Sequence, residues 1–138
     1  MNDARLFKMH LTDYANKFGV SMDALARQTA QQLSENVVTD TPVDTGFLRS
    51  SWQPSLNGIT AGQGTAISGA AAASKVAATV GIVAADMKAG DTYYLTNNAE
   101  YALHVEFGTS KMAGRFMVTS NMKNAQNVVA KIVKELAL

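Results

Sequence analysis

The 138-residue sequence contains no cysteine. A disulfide framework, a zinc–thiolate centre and a thiol nucleophile are therefore all excluded. Charge is also scarce. Asp, Glu, Lys and Arg make up 17% of the chain, and twelve bases against eleven acids leave a formal net charge of +1. A dedicated nucleic-acid binder announces itself by a strongly basic balance, which this chain lacks. No run approaches the eighteen consecutive apolar residues of a membrane span. The opening Met1-Asn2-Asp3-Ala4-Arg5 leads into mixed polar sequence rather than the apolar centre of a signal peptide. These absences predict a protein made and kept in the cytoplasm, with no membrane partner.

What is present is a globular composition. Hydrophobic residues make up 47% of the chain, and the length suits one domain with one core, residues 1–138, rather than two. The charge is unevenly spread. Lys75 is the only charged residue between Ser50 and Ala85, while Lys111, Arg115, Lys123, Lys131 and Lys134 crowd the C-terminal end against Glu135. That end reads either as a solvated helix face or as a surface for an acidic partner.

Phe7, Leu11, Tyr14, Phe18, Met22, Leu25 and Thr29 recur at spacings of three and four, which puts them on one helical stripe. Gly19 interrupts the stripe, and Ser21 stands where an N-cap restarts a helix. The pattern predicts either two helices meeting near Gly19, the second from Met22 to Val38, or one long helix bent there. Thr41-Pro42-Val43-Asp44-Thr45-Gly46 ends the helical region, because proline disfavours helix at the residue before it. Phe47 to Leu56 reads as a strand, with Leu48, Ser50 and Trp52 on one face and Phe47, Arg49 and Ser51 on the other. Residues 57–68, rich in Gly, Thr and Ser, read as a mobile loop.

Ser68 to Lys88 admits two readings. Ala72, Val76, Val80, Val83 and Met87 at helical spacing predict a helix, with Ser68 at its start and Lys88 and Gly90 at its end. The β-branched Val76, Val80, Ile82 and Val83 leave a strand open for part of the segment. Asp91 to Asn97 predicts a short strand, and Tyr101 to Phe107 a short apolar segment stopped by Gly108. A final helix follows from about Phe116 to Leu136, with the stripe Val118, Met122, Ala125, Val129, Ile132 and Leu136. The resulting class is α+β: N-terminal helices and a C-terminal helix on a small, mostly antiparallel sheet, with a loop or helix inserted between strands.

Catalytic patterns are missing. His104 and Glu106 offer a single i,i+2 pair where zinc needs three or four ligands, and His10 lies inside the first helix. No Gly-x-Ser-x-Gly occurs, and neither Gly62-Gln63-Gly64 nor the stretch from Gly64 to Gly69 has the Lys-Ser/Thr ending of a phosphate loop. Glu100 and Glu106 with Asp91 are the kind of carboxylate set that any chain of this length contains. No cofactor and no metal are expected. Trp52, Tyr93, Tyr94 and Tyr101 are not interleaved with bases, so they read as core or interface aromatics rather than base-stacking platforms.

Two stretches carry more information. The first is Thr41-Pro42-Val43-Asp44-Thr45-Gly46-Phe47-Leu48-Arg49-Ser50-Ser51-Trp52. The second runs from Tyr94 through Asn97-Asn98 and Tyr101-Ala102 to Glu106-Phe107-Gly108 and Ser110. Together they resemble the neck, minor tail and tail-completion family of long-tailed bacteriophages. Its pattern is a helical N-terminal region, Pro-Val-Asp-Thr-Gly-x-Leu-Arg-x-Ser, a strand ending in Asn-Asn, then Tyr-Ala, a Glu-aromatic-Gly turn and a C-terminal helix. The resemblance spans nearly the whole chain. It departs in Met112-Ala113-Gly114-Arg115-Phe116-Met117, where many members carry one or two prolines and this chain has none.

The resemblance implies a structural virion protein rather than an enzyme. It would sit at the head–tail junction, in a neck or tail-completion ring that helps join tail to head, with tail terminator as the alternative ring. Its implied partners are other head-completion, connector and tail proteins, and further copies of itself in a hexameric ring. It would be made in the host cytoplasm, and DNA contact in the channel would be without sequence preference. The structural and interface candidates are Pro42, Asp44, Thr45, Gly46, Leu48, Arg49, Trp52, Asn97, Tyr101, Glu106 and Gly108. Asp44 is expected to accept backbone hydrogen bonds and Gly46 to reverse the chain. Arg49 and Glu106 are expected to pair directly or across a subunit boundary, and Trp52 and Tyr101 to anchor the core or an interface. Residues 57–68 would order on docking, or serve as a passive surface loop. Rival classes are a DNA-contacting channel module acting through Lys123, Lys131 and Lys134, and a small hydrolase built around His104 and Glu106.

Overall fold

A serine opens the helix that begins at Met22. The computed structural model describes residue 16, residues 21–43 and residues 46–137; the stripe from Phe7 to Phe18 and the break at Gly19 lie outside them. The Ser21 hydroxyl accepts from the Ala24 N–H at 3.3 Å, and helix α1 runs Met22–Asp40. There follow a helical turn α2 (Phe47–Ser50), strand β1 (Trp52–Leu56) and helix α3 (Gly69–Asp86). Strand β2 (Tyr93–Asn97), helix α4 (Ala102–Phe107), a hairpin of β3 (Gly108–Thr109) and β4 (Met112–Ala113), and helices α5 (Met117–Lys123) and α6 (Ala125–Leu136) complete the order. The class is α+β, with helices flanking a small antiparallel sheet.

The ambiguous segment is a helix. Ser68 caps it by accepting from the Ala71 N–H at 3.1 Å, and Ala72, Val76, Val80 and Ala84 form its buried stripe. Burial of that stripe overrides the β-propensity of its valines. α3 runs antiparallel to α1: near the start of α1 the Asp23 carboxylate accepts from the Ala89 N–H at 2.7 Å, and Arg27 Nε donates to the Met87 carbonyl at 2.6 Å. Among the described helices α3 alone is long and apolar enough to cross a membrane, by length and composition (mean hydropathy 1.2), although Lys75 and Asp86 interrupt its apolar residues.

Two expectations need correction. Phe47 to Ser50 is helical rather than extended, because Gly46 takes a left-handed conformation (φ 78°) and turns the chain before the strand begins at Trp52. Ser51, placed by the alternation on the face opposite Ser50 and Trp52, is fully buried as they are; its hydroxyl donates to the Phe47 carbonyl at 2.6 Å inside that turn. The C-terminal helix is also not continuous. It breaks at Asn124, so Val118 and Met122 leave the stripe and face solvent, while Met117 and Asn121 are buried in their place. Beyond the break Ala125, Val129 and Ile132 are buried as the spacing predicts.

β1 and β2 pair antiparallel, Trp52 opposite Asn97 and Leu56 opposite Tyr93. Both are edge strands, which accommodates Pro54 in β1. A two-stranded sheet is marginal by itself. This one is backed by a core in which Trp52, Val76, Val80, Val37, Val38, Val105 and Met117 meet, while a second cluster joins Leu25 of α1 to Val128, Val129, Ile132 and Val133 of α6.

Gly46 is the tightest point of this arrangement, since a Cβ there would stand 1.6 Å from the Ile67 carbonyl oxygen. Gly46→Ala is therefore expected to lower the unfolding free energy by at least about 2 kcal/mol in urea titration. Gly58→Ala, whose added methyl meets nothing within 4 Å, is expected to change it by less than about 0.5 kcal/mol. Equal effects of the two would contradict this reading of the turn.

Candidate assembly surface

The first motif builds a knot at the end of α1. The Thr41 hydroxyl donates to the Val37 carbonyl at 2.7 Å and accepts from the Trp52 indole N–H at 2.8 Å. Arg49 reaches back over the same helix end: Nη2 donates to the carbonyls of Thr39 (3.1 Å) and Thr41 (2.8 Å), and Nη1 to that of Gly69 (3.3 Å). A cation on orphan helix carbonyls is favoured both by hydrogen bonding and by the helix dipole. Asn97 closes the far side, donating to the Leu48 carbonyl at 2.9 Å and accepting from the Ala99 N–H at 3.0 Å. Gly46, Leu48, Arg49, Trp52 and Asn97 are thus brought together, next to Pro42. Asp44 and Thr45 lie outside the described residues.

The Gly/Thr/Ser segment carries no helix or strand, as its composition implies, but it is fastened to this knot. Ser50 Oγ donates to the Thr65 carbonyl at 2.6 Å and accepts from the Thr65 N–H at 3.0 Å, and Ser51 Oγ accepts from the Gly64 N–H at 3.0 Å. Asn98 donates to the carbonyls of Thr60 and Gly62, both at 3.0 Å, and Gln63 returns a bond to the Asn98 carbonyl. Ser50, Ser51 and Asn98 are the means of restraint that composition did not reveal.

The second motif builds a different junction. Glu106 turns inward (6% exposed) and its carboxylate accepts from the N–H groups of Val118 and Thr119, both at 2.9 Å, and from the Thr119 hydroxyl at 2.7 Å. The expected pairing of Arg49 with Glu106 is therefore wrong within the subunit. Arg49 holds α1 and Glu106 holds α5, and no bond joins them among the described residues. Gly108 (φ 86°) and Gly114 make the close approach possible: a Cβ on Gly108 would stand 2.6 Å from the Gly114 nitrogen, and one on Gly114 2.8 Å from the Glu106 carbonyl oxygen. The loop that lacks prolines is held instead by its hairpin and by Arg115 and Phe116 N–H groups on the carbonyls of Val105 (2.8 Å) and Glu106 (3.0 Å).

With Glu106 turned in, the neighbouring apolar side chains are turned out. Leu103 (71%) and Phe107 (62%) share the outer face of α4, one helical turn apart, and Met112, Phe116 and Met122 are also exposed. Tyr101 precedes α4, its ring 6.2 Å from that of Phe47. Trp52 is a core anchor; Tyr101, 40% exposed, is available to a partner. Two large apolar side chains side by side on one exposed helix face make this a candidate contact surface. Sequence reading missed Leu103, Phe107, Met112 and Phe116, although Leu103 and Phe107 at i,i+4 were a usable signal. His104 is exposed and Glu106 is buried, so the two do not converge on a pocket, and no cluster of three His, Asp or Glu occurs among the described residues.

Burial by itself would raise the Glu106 pKa. The Thr119 hydroxyl and the N–H groups of Val118, Thr119 and Met117 outweigh it, and the carboxyl lies below the ordinary value of 4.5. The unfolded chain then binds the proton more tightly, so this contribution to stability is complete above the unfolded value and is lost as pH falls through the folded one. Glu106→Gln is expected to lower stability by about 1–2 kcal/mol at neutral pH. It should also flatten the stability profile below about pH 5 relative to wild type in urea titrations. An unchanged profile would show that Glu106 does not anchor α5.

Comparison with known proteins agrees with the arrangement of the two motifs. A family profile described as Bacteriophage HK97-gp10, putative tail-component, matches residues 7–108. No curated protein and no solved structure gives a significant match. The match covers the whole first motif and the second as far as Gly108, and ends before the helix that Glu106 holds. This chain belongs to the HK97 gp10-like family of bacteriophage tail components.

Proposed function

We propose that the chain, acting as one domain, is a structural virion protein of a tailed phage that assembles at the head–tail junction, in a neck or tail-completion ring, and helps join tail to head. The observation that supports this reading is the pair Leu103 and Phe107, 71% and 62% exposed on one face of α4, a place for a partner to bind. Membership of a family of phage tail components supplies the context. The partners are head-completion, connector and tail proteins, with copies of the chain arranged in a hexameric ring that follows tail symmetry. Lys111, Arg115, Lys123, Lys131 and Lys134 are all exposed, and any contact with DNA in the channel runs through these charges to phosphate rather than to bases.

Light scattering across a concentration series, with and without purified tail tubes, tests this reading. A discrete ring, or a monomer that forms rings only on tail ends, is expected. Leu103→Asp and Phe107→Asp should leave unfolding unchanged within about 0.5 kcal/mol and weaken assembly at least about tenfold. A wild-type chain that forms no ring alone and is indifferent to tail tubes would overturn the proposal.

A further inference from the structure

The β1–β2 sheet has two edges, and they differ. The Asn57 N–H donates to the Thr92 carbonyl at 2.8 Å, and bonded pairs recur at every second residue of an antiparallel ladder. The register therefore gives the exchanged bonds to Ser55 with Tyr94 and to Gln53 with Thr96. Trp52, Pro54 and Leu56 of β1, and Tyr93, Leu95 and Asn97 of β2, turn their main-chain groups outward. Pro54 has no N–H, so the outer edge of β1 lacks its central donor. β2 has no such gap. The outward N–H and C=O groups of Tyr93, Leu95 and Asn97 have no hydrogen-bond partner among the described residues, and β1 is the one described element packed extensively on β2. Open edges are usually blunted by proline, lysine or another charge. Tyr93-Tyr94-Leu95-Thr96-Asn97 contains none of these, and its two tyrosines and its threonine favour extended backbone.

Donors and acceptors alternating in this way along about 14 Å are matched by another extended main chain. The strands of a second copy do not supply it. Its β1 has Pro54 at the matching place, and its β3 and β4 are each two residues long and paired with one another. Its β2 would pair with β2 about a two-fold axis and close at two copies, where a ring has to continue. We infer that β2 takes up an extended segment of a tail protein as the third strand of the sheet. Membership of a family of tail components points to the tail as its source, and the inference rests on the joining role above for that identity alone. Main-chain bonds supply the affinity and alternate side chains the selectivity. The segment carries an apolar residue beside Leu95, whose side chain packs against the core, polar residues beside Tyr94 and Thr96 on the other face, and no proline where its N–H meets β2.

Hydrogen exchange at single amides tests this, read by NMR on the free chain and on chain exchanged while bound to purified tail tubes and then released. In the free chain the Leu95 amide is expected to exchange at least about tenfold faster than those of Tyr94 and Thr96, which bond to β1. On tubes it should slow to their rate. Leu95→Pro deletes the outward donor and leaves the bonds to β1 in place, whereas Leu95→Ala loses the same side chain and keeps the donor. The proline variant is expected to bind tubes at least about tenfold more weakly than the alanine variant. Should Leu95→Pro fail to fold, the exchange rates decide alone. Equal binding by the two folded variants would overturn the inference, as would a Leu95 amide already slow in the free chain or unchanged on tubes. Protection that grows with the concentration of the chain alone would make a second copy the third strand and overturn the tail segment. A chain that binds tubes with the Leu95 amide still fast keeps the joining role and loses this contact, and a chain that binds no tubes loses both.

Discussion

The end of α1 is the constraint on which the rest of the fold depends. A helix leaves its last carbonyls without partners, and where the chain turns back into the core those groups cannot be left to water. Arg49 supplies the missing donors to Thr39 and Thr41, which it can do only if the chain reverses at Gly46 and presents it from a helical turn. That reversal delivers Trp52 to the Thr41 hydroxyl. It also sets the start of β1 and, through Ser50 and Ser51, fastens the segment leading to α3. A guanidinium suits this position because its planar fork of donors reaches several carbonyls at once.

Glu106 performs the reciprocal task at the opposite kind of helix end. Free N–H groups open α5, and a carboxylate closes them. The two charges that looked like a pair in the sequence are therefore both engaged with backbone, one at a helix C-terminus and one at a helix N-terminus. Complementary sign along a chain does not distinguish these cases. Helix ends offer partial charges that compete with side chains for the same ions.

Much of the architecture was legible because it follows from local rules. Ser21 and Ser68 cap the helices they were expected to cap, and the alanine-rich segment is helical through its four buried positions. The family resemblance also agrees with the profile match. What was not legible arose where tertiary bonds decide local conformation. Phe47 to Ser50 alternates like a strand, yet the left-handed Gly46 and the Ser50 and Ser51 hydroxyls fold it into a turn. The stripe from Val118 to Leu136 fits one helix, yet the anchor at Glu106 and the bond from Asn121 to Asp40 fix α5 in a different rotation from α6. The exposed Leu103 and Phe107 were hidden for a related reason: an apolar residue at helical spacing is read as core until its neighbours are shown to face the other way.

A division of labour results. The polar and glycine residues of the two motifs hold the subunit together, while Leu103 and Phe107, inside the second motif, face solvent. The proposed role as a joining component of a phage particle can be checked by cryo-electron microscopy of purified particles, looking for the packed α1, α3 and β1–β2 unit. That unit is expected in a closed ring between head and tail, in copies that follow the tail's symmetry. Particles whose junction contains no copy of the chain, or contain it only at the far end of the tail, would contradict it.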